Sequence, residues 1–555
     1  MNKKHRNQST LNAQLFRRLS LTNTNIIFTA IFILTPIIFG LLSVSIGQDN
    51  NWDLRNYHYY NPYAFFNGRL SFDFASAQLQ TFLNPVLDFP FYFLVTQFSP
   101  KTVGFVMGAI QGFNFFLLFC ICYYLFQYKS PPTRLLFTFV SATAGVYAPI
   151  MIGELGNTTN DVVTSLFVLG ALLIVVHRTV QNENLNTSTF NYVLATGGLL
   201  IGIGIGLKLT LAIFGIGFLI AQLTLQKNWL QRIKSTAAVT LGLAAGIFIS
   251  AGFWMYRLWN LYGNPLFPFY NGIFKSPYMK LENFSDSRYL PEGLFDHIVF
   301  PFYFLFSNHY TDPQHYYRDA RFAIIYVLII IIAFIFLLKW SRANSKTKRV
   351  KMKNVVIPIH QFLIIFFISS FIIWQLKFSI LRYTNALELL GPAVIIILLS
   401  YIIKSEYYRI LTYSLLLVVV VVEMRAIQID RLPWGSTFFQ VQIPGYADPD
   451  NSVVLITQNR PWGYLIPAFP KSTRFVSMNN NFIKPTQNTM FQKEIRQVLS
   501  SHDGPFYLLS RKEYLPYDAR LLASHRLGID PRGSLPIRSR HERDGLRLWI
   551  VKKWE

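Results

Sequence analysis

Residues 321–338 read RFAIIYVLIIIIAFIFLL, and a basic cluster follows close behind: Arg342, Lys346, Lys348, Arg349, Lys351 and Lys353. An apolar run of this length nearly reaches the roughly 20 residues that a helix rising about 1.5 Å per residue needs to cross about 30 Å of hydrocarbon. Lysine and arginine gather in loops on the cytoplasmic side, so the cluster also fixes the direction of crossing. Further out, residues 26–46, 101–126 and 410–422 form similar runs. A charged content of 14% beside 52% hydrophobic and 16% aromatic residues is far below that of a soluble chain of 555 residues, for which about 25% charged is usual. The composition is that of an α-helical polytopic membrane protein.

The pattern predicts eleven spans, near 26–46, 101–126, 134–152, 160–177, 191–207, 209–226, 236–256, 321–339, 357–375, 388–403 and 410–424. With the N-terminus inside, the cytoplasmic segments hold Lys3, Lys4, Arg6, Arg17 and Arg18, then Lys129 and Arg134, then Arg178, then Lys227, Arg232 and Lys234, then the 342–353 cluster, then Lys404 and Arg409. Every predicted cytoplasmic loop is therefore basic, and much of the formal charge of +24 is a topology signal rather than a nucleic-acid footprint. Cys120 and Cys122 fall inside one span and form no loop disulfide.

This orientation places outer loops 47–100 and 257–320 outside the membrane, together with everything after about 425. Residues 1–425 form a membrane domain. Residues 426–555, with 18 Lys or Arg and 11 Asp or Glu, form a small extracytoplasmic α/β or α+β domain. Ser452–Thr457, Pro505–Ser510 and Leu546–Lys552 have strand character, and Met490–Ser500 is helical. The first outer loop carries Trp52-Asp53-Leu54-Arg55-Asn56-Tyr57-His58-Tyr59-Tyr60 and Asn84-Pro85-Val86-Leu87-Asp88-Phe89-Pro90-Phe91-Tyr92. Its rings suit short helices lying in the membrane interface.

Three groups can carry chemistry. Asp53, soon after the first span and among aromatics, is a carboxylate whose proton affinity burial can tune, although a solvated loop aspartate has the same address. Glu154 and Asp161 lie in the next outer turn, where hard oxygen ligands suit a polar acceptor or a divalent cation. Asp161 serves equally as a helix cap; Glu154 does not. Lys208, Arg257, Lys377 and Arg382 are cations at the outer membrane boundary, able to hold a lipid phosphate or simply to snorkel. The Gly202, Gly204, Gly206 run follows no strand and is read as close helix packing. His297, His309, His315 and Asp312 match no zinc spacing, so no metal site is assigned.

With these features the chain resembles the GT-C superfamily of membrane glycosyltransferases, which includes protein O-mannosyltransferases and the aminoarabinose transferase. The resemblance covers roughly 20–425. It rests on the inside N-terminus, the long first outer loop with Asp53, the second acidic site at Glu154 or Asp161, and the stretch Tyr262-Gly263-Asn264-Pro265-Leu266-Phe267-Pro268-Phe269-Tyr270-Asn271. Asp-Leu-Arg stands at 53–55 where several families have paired acidic residues.

The resemblance implies a GT-C-like fold and inverting transfer of a sugar from a polyprenyl-phosphate-linked donor to a glycan, lipid or protein acceptor at the outer face of a bacterial inner membrane. Asp53 is then the general base, Lys208 and Arg382 bind the lipid phosphate, and Arg55, His58, Glu154 and Asp161 bind donor or acceptor. No cofactor is implied beyond a divalent cation, and the partners are membrane lipids rather than nucleic acid. A flippase for lipid-linked glycans, expected to show midplane charges and paired repeats, is the rival reading. A glycan polymerase or ligase using Arg318 and Arg321 is another.

Overall fold

Eight helices among the described residues are long and apolar enough to cross a membrane: Asn25–Ile46, Pro100–Leu125, Asp161–Gln181, Ser188–Leu207, Trp229–Tyr262, Arg321–Ser341, Pro358–Lys377 and Leu381–Ile402. The computed structural model describes residues 3–127, 129–181, 187–284, 286–306, 316–343, 358–542 and 545–554, with side chains from Asn25 onward except at Thr187, Arg342 and Ala343. Most of the basic segment 342–353 lies outside the described residues, as do His309, Asp312 and His315. The chain is a multi-pass membrane protein.

Eleven spans are expected, and the remaining three positions are also helical but weaker. Pro131–Val146 has 16 residues, Leu209–Leu225 is a short apolar helix, and Glu406–Glu423 has 18 residues that include Glu406, Arg409 and Glu423. Shortness or charge separates them from the eight.

Local sequence explains how the helices begin and meet. Pro100 opens its helix, where a missing N–H costs nothing, and the Ser99 hydroxyl accepts from Thr102 N. Helices 187–207 and 229–262 pack through glycine. A Cβ on Gly202 would lie 2.3 Å from the Leu243 carbonyl oxygen, and one on Gly242 would lie 2.2 Å from that of Ala195. Small residues let the two backbones approach, which is the role expected of the glycine run. The Asn385–Ile402 helix is buried from Asn385 to Leu399 and forms the centre of the bundle.

The tail builds a five-stranded mixed sheet in the order β4 (Arg474–Ser477), β3 (Val453–Ile456), β5 (Phe506–Arg511), β7 (Leu546–Lys553) and β6 (Leu527–Pro536). β3 runs parallel to β4 and β5, whereas β7 is antiparallel to β5 and β6. Helix Met490–Ser501 supplies the crossover from β4 to β5. β3, β5, β7 and the helix sit where the sequence puts them.

Side chains alternate along a strand, so the sheet has two apolar faces. Val453, Leu455, Phe506, Leu508 and Trp549 join Leu70, Phe74, Phe82, Trp254 and Phe267. On the other face Val454, Ile456, Tyr507, Leu509 and Leu548 join Leu54, Tyr57, Tyr60, Tyr63 and Phe91. The first outer loop thus covers part of both faces. This differs in part from the expected interfacial helices: Tyr57, Tyr60, Tyr63, Phe74, Phe82 and Phe91 are buried in these two faces, whereas Phe66, Phe93 and Phe98 stay exposed. Pairing of β1 (Gln48–Asp49) with β2 (Arg431–Leu432) and the Phe74–Val476 bridge fix the same contact through the backbone.

Candidate active site

Asp53 stands at the entrance to a π-helical turn, Leu54–His58, just after the first span and β1. Such turns are rare and occur frequently at functional sites. The preceding residue that holds the turn in place is Asp49, whose Oδ2 accepts from Thr158 N and Thr158 Oγ1, each at 2.9 Å. The loop 154–160 is thereby tied to the first outer loop. Gln111 completes it, donating to the Glu154 carbonyl at 3.3 Å and accepting from Gly156 N at 2.5 Å. Gly156 and Asn160 take positive φ of 73° and 66°, values that glycine and asparagine tolerate.

The loop delivers Asp161 to two cations. Lys208 Nζ lies 2.6 Å from Asp161 Oδ1 and donates to the Thr159 carbonyl at 2.7 Å. Arg382, in the 3-10 turn Leu381–Thr384, places Nε 3.7 Å from Asp161 Oδ2 and Nη1 2.6 Å from Asp53 Oδ2. Asp53, Arg382, Asp161 and Lys208 therefore form one continuous chain of ion pairs assembled from four separate segments. The Tyr383 ring lies 5.8 Å from Lys208 Nζ and 5.5 Å from Arg382 Cζ, within cation–π range. A small cavity lined by Asp161, Thr164, Ser165, Thr210, Arg382 and Tyr383 opens beside the network.

Burial alone would push the Asp53 carboxyl up, but Arg382, with Lys208 adding to it, outweighs burial and holds the group below the usual carboxylate range. Glu154 goes the other way. Burial first, and then the Asp161 carboxylate, raise it, and the Thr159 hydroxyl, Arg382 and Lys208 offset this only in part. The site thus holds an ionised Asp53 and a proton-retaining Glu154 near neutral pH.

Other expected site residues fall elsewhere. Arg55 turns toward the tail, where Nη1 donates to the His541 carbonyl at 2.9 Å and lies 4.0 Å from Glu542 Oε2. Arg257 sits over the Phe65 ring at 5.4 Å, and Lys377 is exposed at a helix end. Arg321 is fully buried, its Nε 3.0 Å from Asp319 Oδ1 and Nη2 donating to the Tyr147 carbonyl at 2.7 Å, while Arg318 pairs with Glu423 at 3.5 Å. These two arginines are committed to protein partners. Among the described residues no three His, Cys, Asp or Glu side chains are grouped to hold a metal ion, and Asp53 and Asp161 face cations. Glu154 keeps its proton and Asp161 is paired with Lys208 and Arg382, so the Glu154 and Asp161 pair does not fit a divalent cation.

Sequence reasoning missed three neighbours. Asp88 lies in a quoted stretch, Asn160 directly precedes Asp161 and Tyr383 directly follows Arg382, yet nothing in their spacing announces that they meet. His58 Nδ1 lies 2.7 Å from Asp88 Oδ1, and Asn160 Nδ2 donates to that same oxygen at 2.7 Å.

Fold and site together define a class: a multi-pass membrane protein with an ion-pair network at the helix ends, roofed by a loop that a mixed-sheet domain holds down. No family model matches the chain, and no curated protein matches it. Among solved structures it is similar to ArnT from Cupriavidus metallidurans, crystallised bound to undecaprenyl phosphate, at 10% identity over 96% of this chain and 98% of that one, with a TM-score of 0.46.

Proposed function

We propose that the chain is a GT-C-type glycosyltransferase that moves a hexosyl or pentosyl group from a polyprenyl-phosphate-linked donor to a glycan, lipid or protein acceptor at the outer face of a bacterial inner membrane. The loop charges support a cytoplasmic N-terminus and an extracytoplasmic tail. The observation that carries the reading is Arg382, whose single guanidinium spans Asp53 and Asp161 while Lys208 closes the far side.

Arg382 is about one-third exposed and has five N–H donors in a planar fork suited to phosphate. A lipid phosphate meeting Arg382 and Lys208 competes with the two carboxylates for the same donors, and charge developing on the departing phosphate is stabilised there. Asp53, relieved of part of its ion pair, takes the proton of the acceptor hydroxyl as that oxygen attacks the anomeric carbon from the face opposite the phosphate. Inversion follows from the single displacement. Glu154, Asp161 and His58 line the acceptor side of this arrangement.

The direct test is the lipid. Native mass spectrometry of the purified chain is expected to show a bound polyprenyl phosphate that is lost from Arg382→Ala and Lys208→Ala. Retention of the lipid by both variants would remove the phosphate assignment.

A further inference from the structure

Two imidazole nitrogens in this site have very different surroundings. His58 is 2% exposed and Asp88 is 4% exposed. Asp88 Oδ1 receives the Asn160 amide and lies 2.7 Å from His58 Nδ1. An ionised carboxylate only accepts, so Nδ1 carries a proton and a neutral ring keeps its lone pair on Nε2. Among the described residues Nε2 is buried without a hydrogen-bond partner. Buried polar atoms are nearly always paired, and an exception in a functional cleft asks for a role. The ring rests on Tyr57 with centroids 4.0 Å apart, and it closes the π-turn that Asp53 opens.

We propose that His58, held by Asp88 and Asn160, is a second proton acceptor in the transfer, with its Nε2 taking the acceptor's proton onward from Asp53. This rests on the glycosyltransferase reading of the same site. As the acceptor oxygen bonds to the anomeric carbon, the carbon–phosphate oxygen bond breaks and its electron pair leaves with the phosphate. The acceptor proton passes to Asp53 and then, across the gap that leaves Nε2 without a side-chain partner among the described residues, by way of a bridging water to Nε2, which restores the Asp53 carboxylate and leaves an imidazolium facing Asp88. Asp53 needs such an outlet, because a carboxylate paired with a guanidinium at 2.6 Å retains a proton poorly. The charged and titratable groups that face His58 are Asp53 and Tyr57 on its own turn and Asp88 on the later part of the loop.

A histidine with a structural job only is replaced by asparagine without kinetic consequence, since the asparagine amide still donates to Asp88. The test uses the purified full chain in detergent micelles with undecaprenyl-phosphoryl glucose, mannose and aminoarabinose, water as acceptor, and release of undecaprenyl phosphate as the signal from about pH 5 to 9. His58→Asn is expected to lower kcat on the order of 10²–10³-fold with KM within about threefold, and to abolish the acid limb that a proton-accepting imidazole imposes. Asp88→Asn is expected to lower kcat less and to move that limb to lower pH, because the imidazolium loses its counter-charge. Wild-type rates in His58→Asn, or an unmoved limb in Asp88→Asn, would overturn the assignment of His58 while leaving the glycosyltransferase reading intact. No release by the wild-type chain from any of the three donors would overturn both. If His58→Asn does not fold, as judged by size exclusion, Asp88→Asn decides alone.

Discussion

Arg382 divides one guanidinium between two carboxylates 108 positions apart in sequence, Asp53 and Asp161, and most of the chemistry argued for this chain turns on that division. Lysine at 382 keeps the charge but presents a point donor in place of a fork. Arg382→Lys is therefore expected to raise KM for a polyprenyl-phosphate donor about tenfold or more, read by steady-state release of the lipid phosphate. Glu154 makes a separate prediction. Burial and Asp161 raise its proton affinity, so the stability this carboxyl confers is fully present below the ordinary carboxyl range, ~4.3, and is lost as pH rises through its raised value. Glutamine copies the neutral acid. Glu154→Gln is expected to match the wild type in thermal unfolding at pH 5 and to lose less stability between pH 5 and 9; a large loss at pH 5 would show that the ionised form matters to the fold.

At the scale of elements, the first outer loop depends on a buried ion pair. Arg69 donates to both oxygens of Asp73 at 2.7 and 2.8 Å and to the Lys471 and Thr473 carbonyls, while Asp73 also accepts from Phe475 N and the Tyr60 hydroxyl. Asp73→Ala strands a buried guanidinium and is expected to cost about 3–5 kcal/mol, seen as a lower unfolding temperature and faster proteolysis of the loop. Eight of the eleven spans and the tail strands were legible because apolar length and two-residue alternation are one-dimensional patterns. Asp53, Lys208 and Arg382 stand out in the sequence because charge beside hydrocarbon is costly, and the structure joins them through Asp161. Asp88 and Asn160 were not, since a contact between loops 72 positions apart leaves no trace in spacing. Arg55 was misplaced for a related reason: the π-turn sends it to the tail, although it stands two residues from Asp53. The first-loop rings were read as membrane anchors because a sequence does not say that a sheet will offer them a closer apolar surface.

For the molecule as a whole, the tail acts as a clamp on the site. Gln48 donates to the Phe438 carbonyl, His541 Nδ1 lies 2.8 Å from Asn50 Oδ1, and Arg55 reaches the His541 carbonyl, so residues on both sides of Asp53 are fastened to the sheet domain. Without it, both apolar faces of the loop would be exposed. A chain ending after Glu423 is expected to insert in the membrane yet lose donor turnover, a result that separates span formation from site assembly. The central claim is that Asp53 and its cations carry out inverting transfer from a polyprenyl-phosphate sugar. Its most direct test is turnover of an undecaprenyl-phosphoryl sugar by the liposome-reconstituted chain, with the anomeric configuration of the product read by NMR. The account predicts an inverted product and a rate for Asp53→Asn lower on the order of 10²–10⁴-fold. A retained configuration, or wild-type turnover by Asp53→Asn, would contradict it.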